Sequence, residues 1–300
     1  MNVKVSKPPV WHPIVAVITA FLVGTLVQIV VFGAYLALQM VRTKASLGQM
    51  QAMLATLMVS PSMLIAAVWI MGAAFVGCTL LFSGSPDATR KSSLRLDGRW
   101  HWAVVGPAAL AAISIGVVNS QLSDMVHVSP PEIMRSLAKA LAAAPLAVKL
   151  LLVATMAVAP AISEELVFRG FMQPRFERRW GRWPAILLTA LAFGLVHTDP
   201  RHIPFAFVLG LLLGWISSRT QSLKPAIAVH LVNNSVASLS LLAVDATATA
   251  SSPSEPHLGL LALGIATLAA MIFVLRWVLA SRSVTATTPT SMAPAPVTTR

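Results

Sequence analysis

Apolar residues form eight long blocks along the chain, and short polar patches that hold most of the basic residues separate them. The blocks span about 14–41, 62–83, 102–121, 146–168, 184–198, 204–219, 225–244 and 258–280. An apolar run of about 17–25 residues can cross a bilayer as a helix. The pattern therefore predicts an all-α, polytopic integral membrane protein with about eight transmembrane helices.

The fifth and sixth blocks are shorter than a usual span, and a polar, proline-containing turn at 198–204 joins them. We expect a hairpin whose tip stops short of the far surface and opens into a hydrated vestibule, because irregular backbone at membrane depth must line protein or water. The sixth block also contains Gly210 and Gly214, a G-x-x-x-G spacing that favours close helix packing.

Composition excludes a soluble domain, because 56% of the residues are hydrophobic and only 11% are charged, against about 25% charged in soluble proteins. We predict one transmembrane domain over residues 1–280. Residues 281–300 are rich in Ser, Thr, Ala and Pro and are predicted to form a disordered cytoplasmic tail. The connection 122–145 is predicted to hold a short surface helix. The single cysteine, Cys78, excludes a disulfide framework and a cysteine-based metal site.

The net charge of +12 is distributed in a way that indicates a membrane partner and no nucleic acid, since the basic residues flank the apolar blocks. With the N-terminus in the cytoplasm, 15 lysines and arginines fall on the cytoplasmic side and 5 in the opposite connections. This bias predicts that both termini are cytoplasmic. The near absence of cysteine and the all-helical pattern favour a bacterial inner (cell) membrane protein. The oligomeric state is left open.

Two adjacent carboxylates, Glu164 and Glu165, close the fourth block, and Arg169 follows four residues after the second. Glu165 and Arg169 can therefore pair along one helix face, while Glu164 points about 100° away. Ionisable groups at membrane depth are costly and usually functional, and a carboxylate there suits a general base. The alternative is a solvated cluster at the helix end, because Arg169 borders a basic connection.

Histidines and an asparagine lie in two further blocks. His197 follows Phe193 at the end of the fifth block, and His230 and Asn234 share a face of the seventh. Glu164, His197 and His230 match a His₂Glu metal set. The same groups also work without metal, with a glutamate and a histidine activating water while a histidine and Asn234 stabilise an oxyanion. Of the other histidines, we keep only His202 as a candidate site residue.

Taken in order, these three motifs resemble the signature of the CAAX protease and bacteriocin-processing (CPBP) family, also called the abortive-infection family, of intramembrane proteases. The family pattern E-E-x-x-x-R, F-x-x-x-H and H-x-x-x-N falls on Glu164 to Arg169, Phe193 to His197, and His230 to Asn234. The resemblance covers residues 146–244, the predicted protease core.

The resemblance implies an endopeptidase that cleaves a membrane-associated protein or peptide, a CAAX prenyl endopeptidase-like hydrolase. Glu164 would activate water with help from His197, and His230 and Asn234 would form the oxyanion hole. Glu165 and Arg169 would support the site. The family is classed as metalloprotease, with Zn²⁺ on Glu164, His197 and His230 as the implied cofactor. A metal-independent glutamate mechanism is the alternative, and the sequence leaves both open.

Two other functions remain as alternatives at this point. A catalytically silent scaffold would bind or regulate a partner membrane protein with the same helices. A transporter would use intramembrane carboxylates and histidines as a proton relay. The sequence contains no visible inverted repeat, which many transporters have, and this counts against the transporter.

Overall fold

The computed structural model describes residues 11–84, 88–126, 132–197, 199–200, 202–243 and 255–285. Within these ranges every regular element is helical, which confirms the predicted fold class. The elements are α1 (Trp11–Thr43), α2 (Leu47–Met58), α3 (Pro61–Phe82), α4 (Ala88–Ser93), α5 (Trp102–Met125), α6 (Glu132–Ala143), α7 (Leu146–Glu165), a π-helix (Leu166–Met172), α8 (Gln173–Trp180), α9 (Arg182–Leu195), α10 (His202–Thr220), α11 (Lys224–Ala243) and α12 (Leu258–Thr285).

Six helical stretches within the described residues are long and apolar enough to cross a membrane. They are Trp11–Thr43, Pro61–Phe82, Trp102–Met125, Leu146–Trp180, His202–Thr220 and Leu258–Ser281. The fifth predicted block forms the shorter apolar helix α9, and the seventh forms α11. The predicted count of eight spans is therefore not confirmed. The apolar helices do confirm the prediction of an integral membrane protein.

The fourth block does not end at residue 168 as predicted. Its helix continues without a loop through the π-helix and α8 to Trp180, so the polar connection expected there is helical. Burial explains the continuation, because Arg175 turns inward, donates to Phe171 O at 2.9 Å and lies 3.7 Å from the centroid of the Phe171 ring. A residue expected to mark a cytoplasmic loop is thus part of the packed interior.

Three further boundaries test the predictions. α6 confirms a short helix in the connection 122–145. α10 has 19 residues, so the prediction of a short sixth block is wrong. Part of the hairpin tip, residues 198 and 201, lies outside the described residues, and the vestibule stays a prediction. α12 runs to Thr285, residues 286–300 lie outside the described residues, and the disordered tail stays a prediction.

Helix packing places α7 at the centre of the predicted core. α7 packs against α3 and α11, while α9 and α10 pack as a neighbouring pair. Of the candidate spans, α10 has the most buried apolar stretch. One hydrophobic cluster joins α5, α10, α11 and α12, and another joins α1, α3, the π-helix and α9. The C-terminal end of α7 therefore lies inside protein and not at a solvated surface.

Candidate active site

The buried ion pair between Glu165 and Arg169 sits at the junction of α7 and the π-helix. Arg169 Nη1 lies 2.7 Å from Glu165 Oε1, and both side chains have no exposed surface. Arg169 Nη2 also donates to Gly210 O of α10 at 3.3 Å. Full burial excludes a solvated helix-end cluster, and the i, i+4 pairing agrees with the spacing in the sequence. The π-helix itself is notable, since such segments occur frequently at functional sites.

His230 of α11 lies between the two glutamates. Its Nδ1 is 3.0 Å from Glu165 Oε1, and its Nε2 is 3.9 Å from Glu164 Oε2. An ionised carboxylate only accepts hydrogen bonds, so Nδ1 must donate to Glu165. The ring therefore turns Nε2 towards Glu164, at a separation beyond direct hydrogen-bond distance.

Glu164 and Glu165 occupy different environments despite being adjacent. Glu164 keeps 17% of its side chain exposed, whereas Glu165 has none. Glu164 Oε2 lies 3.9 Å from His230 Nε2. Glu165 is held by both Arg169 and His230. Glu164 is thus the carboxylate that water can approach.

His197 lies just after α9, and a backbone bond fixes its tautomer. Its Nδ1 is 2.8 Å from Phe193 O, a carbonyl that can only accept, so Nδ1 carries the proton. The neutral ring then presents the Nε2 lone pair.

The ring of Phe193 joins these groups into one cluster. It lies under the Arg169 guanidinium, with Cζ 4.2 Å from the ring centroid. Its centroid is 4.9 Å from that of His197 and 5.8 Å from that of His230. His202, the additional histidine kept in view, lies beside His197 with centroids 4.8 Å apart. One side chain from each of the three predicted motifs, namely Arg169, His197 and His230, therefore lies against the ring of Phe193.

Asn234 is engaged elsewhere. Its Nδ2 donates to Met156 O of α7 at 3.4 Å, and its Oδ1 accepts from Asn233 Nδ2 at 3.2 Å. Met156 O needs this donor because Pro160, four residues later, has no N–H to give it. Neighbouring helices commonly satisfy a carbonyl that a proline frees in a membrane helix. In this structure Asn234 links α11 to α7, about two turns of α7 before Glu164.

The predicted metal set stays open in this structure. No group of three or more His, Cys, Asp or Glu side chains within the described ranges is placed to hold a metal ion. His230 Nδ1 is bonded to Glu165, and His197 Nδ1 is bonded to Phe193 O. Such bonds leave Nε2 of each ring available as a ligand atom. A metal on Glu164, His197 and His230 therefore stays a prediction.

A ladder of buried polar residues extends from the site and was missed in the sequence. Gln173 donates from Nε2 to Glu177 Oε1 and to Gly214 O, both at 2.9 Å. Glu177 in turn forms an ion pair with Arg95, whose Nη1 donates to Ser217 Oγ at 3.2 Å. A four-residue spacing from Glu165 through Arg169 and Gln173 to Glu177 was the available signal, because it places all four on one helix face.

The two glycines of α10 explain how the ladder docks. Their carbonyls accept from Arg169 and Gln173, which requires the helices to approach closely. A Cβ on Gly210 would lie 3.1 Å from Ala190 Cα, and one on Gly214 would lie 3.0 Å from Gln173 Oε1. The G-x-x-x-G spacing thus has a structural role that also supports the buried ion pair.

Comparison with known proteins agrees with this site. Residues 146–236 match the family model described as Rce1-like, type II CAAX prenyl endopeptidase Rce1-like. The match contains all three motifs and confirms the resemblance to the CPBP family over this part of the chain. The comparisons with curated proteins and with solved structures found no match.

Proposed function

We propose that this chain is an intramembrane endopeptidase that hydrolyses a peptide bond of a membrane-associated protein or peptide. The description of the family as a CAAX prenyl endopeptidase supports this reaction. The observation that carries the proposal is the contrast between two adjacent carboxylates. Glu165 is fully buried and bonded, whereas Glu164 is accessible and faces a histidine nitrogen.

Glu164 acts as the general base in the proposed reaction. It takes a proton from water, and the water oxygen forms a bond to the carbonyl carbon of the substrate. The carbon–nitrogen bond then breaks, and Glu164 returns the proton to the leaving nitrogen. His197 orients the water through its Nε2 lone pair, because Nδ1 is held by Phe193 O.

His230 stabilises the oxyanion in this proposal. Its Nδ1 bond to Glu165 fixes the ring, and Nε2 in the protonated form donates towards the developing charge. Asn234 can join it only by releasing Met156 O, so its contact here supports a role in joining helices. Glu165, Arg169 and Phe193 position His230 and the end of α7. The mechanism is glutamate-dependent and contains no metal step.

We also propose that the site lies in the cytoplasmic half of a bacterial inner membrane. Three basic connections predicted on the cytoplasmic side meet in the fold: Leu223 N donates to Arg95 O at 3.1 Å, and Arg95 pairs with Glu177. Their meeting at one end supports a common side of the membrane. Glu164 lies about 4.4 helical turns before Trp180, where the continuous helix ends.

The test is cleavage of membrane peptides by the purified full chain. Peptides ending in a CAAX sequence, prenylated and unprenylated, are incubated with the native chain and with Glu164→Gln. We expect cleavage by the native chain, insensitivity to chelator, and a loss of at least about 100-fold in kcat in the variant. Glu255→Gln, which removes an exposed carboxylate, is the matched control. Unchanged kcat in Glu164→Gln would refute the proposed base.

A further inference from the structure

A groove with a volume of about 710 Å³ is lined by residues of α5, α9, α10 and α12. Its lining contains none of the motif residues and no Asp or Glu. It is apolar along most of its length, but two arginines, Arg219 and Arg276, also line it. A ligand that fits this groove needs an apolar part for the walls and a negative charge for the two arginines.

The α10 wall of the groove has a defined length and direction. Val208, Leu211, Leu212, Trp215 and Arg219 line it at helical spacing. Eleven residues separate the first from the last, which corresponds to about 16 Å along the helix axis. Half of a bilayer's hydrocarbon core is about 15 Å thick. The groove therefore extends over one leaflet, with its charge at the leaflet's surface.

The α12 wall also has its arginine after a row of apolar positions. Leu268, Ile272 and Arg276 line the groove at intervals of four residues, and Leu279 and Ala280 line it within about one turn beyond the arginine. Trp183 and Trp215 also line the groove, the first at the start of α9 and the second one turn before Arg219. Tryptophan at the ends of membrane helices is typical of the headgroup region. Both walls thus place the cations at the same membrane interface.

Both arginines are exposed and have no carboxylate partner within the described residues. The ion pairs that involve arginine there are Arg95 with Glu177 and Arg169 with Glu165. Basic pockets between membrane helices attract anionic lipid headgroups, and the attraction is local because salt screens it over about 8–10 Å.

We propose that this groove binds an anionic phospholipid, with its phosphate between Arg219 and Arg276 and an acyl chain along the apolar walls. The length of one leaflet and the absence of acidic lining residues favour a lipid over a soluble anion. The site is independent of the glutamate centre, so the proposal does not depend on the proposed protease activity.

The test is native mass spectrometry of the full chain in mild detergent, titrated with dioleoyl phosphatidylglycerol or dioleoyl phosphatidylcholine. We expect tighter binding of phosphatidylglycerol, and about 30-fold weaker binding after Arg219→Gln with Arg276→Gln. Arg99→Gln with Arg179→Gln removes the same charge from exposed sites outside the groove and should leave binding unchanged. Glycerol phosphate, which has no acyl chain, should not compete.

A second variant tests the apolar walls. Val208→Trp fills the groove from a side chain that is 40% exposed, so it should fold normally and weaken binding of the lipid. Equal binding of both lipids, or equal losses in the two double variants, would overturn the proposal in favour of diffuse charge attraction. Competition by glycerol phosphate would show a soluble-anion site and would overturn it as well.

Discussion

Removing the positive charge of Arg169 is the sharpest test of the buried centre. Arg169→Met keeps most of the side-chain volume but leaves Glu165 as an unpaired carboxylate with no exposed surface. Breaking a buried ion pair from one side costs about 3–5 kcal/mol. His230 still contacts Glu165, and Gly210 O loses only one donor, so the unpaired charge is the main cost.

A double variant separates the charge from the packing. In Glu165→Gln with Arg169→Met no charge remains buried, so we expect the free energy of unfolding to recover by at least about 2 kcal/mol relative to Arg169→Met alone. Additive losses in the two single variants, or a loss below about 1 kcal/mol in Arg169→Met, would refute the assignment of this pair as a coupled, buried unit.

The chain supplies its own reporter for this assay. Cys78 is its single cysteine and is buried in α3. A thiol-reactive dye therefore reports unfolding of the detergent-solubilised protein as the temperature rises. We expect Arg169→Met to lower Tm by an amount on the order of 10 °C. Dye added to the folded native protein should react slowly, and the unfolded protein should react fully.

Two other predictions concern the surrounding helices. Asn234→Ala should cost about 1 kcal/mol in the same Tm assay, and less in a Pro160→Ala background, where a restored N–H can serve Met156 O; an equal cost in both backgrounds would exclude that link. Gly210→Ala should destabilise by about 1–3 kcal/mol through overpacking, whereas Gly106→Ala, whose Cβ meets nothing within 4 Å, should not, and equal effects would contradict the close approach.

The sequence predicted the local pairing of residues on one helix better than the packing between helices. The spacing of Glu165 and Arg169 was sufficient to predict their pairing, because helical geometry alone brings i and i+4 together. That His230 would reach both glutamates required α11 to pack on α7 in a particular register. Periodicity indicates which face of a helix is apolar, but it does not specify which helix the face meets.

Continuity of the helix beyond Glu165 was missed for a physical reason. Charged residues such as Arg175 and Glu177 after an apolar run usually mark the end of a span. Here Arg175 is buried on Phe171, and Glu177 pairs with Arg95 from a distant connection. The energy that keeps these charges inside comes from tertiary partners. These partners are distant in the sequence, so the local composition does not predict them.

The role of Asn234 shows the same limit. Its position four residues after His230 predicted a shared face and a shared task. The structure gives its amide to Met156 O, which Pro160 leaves without a helical donor. Proline within an apolar block was visible in the sequence, and it could have directed attention to the carbonyl four residues earlier.

The most direct test of the division between the two glutamates is a paired measurement of kcat and Tm for Glu164→Gln and Glu165→Gln. We predict that Glu164→Gln reduces kcat by at least about 100-fold and leaves Tm within a few degrees of the native value, because its carboxylate is accessible and not tied into the ion pair. Glu165→Gln should lower Tm, since it leaves Arg169 buried without its partner. Native kcat in Glu164→Gln, or a native Tm in Glu165→Gln, would contradict the proposed roles.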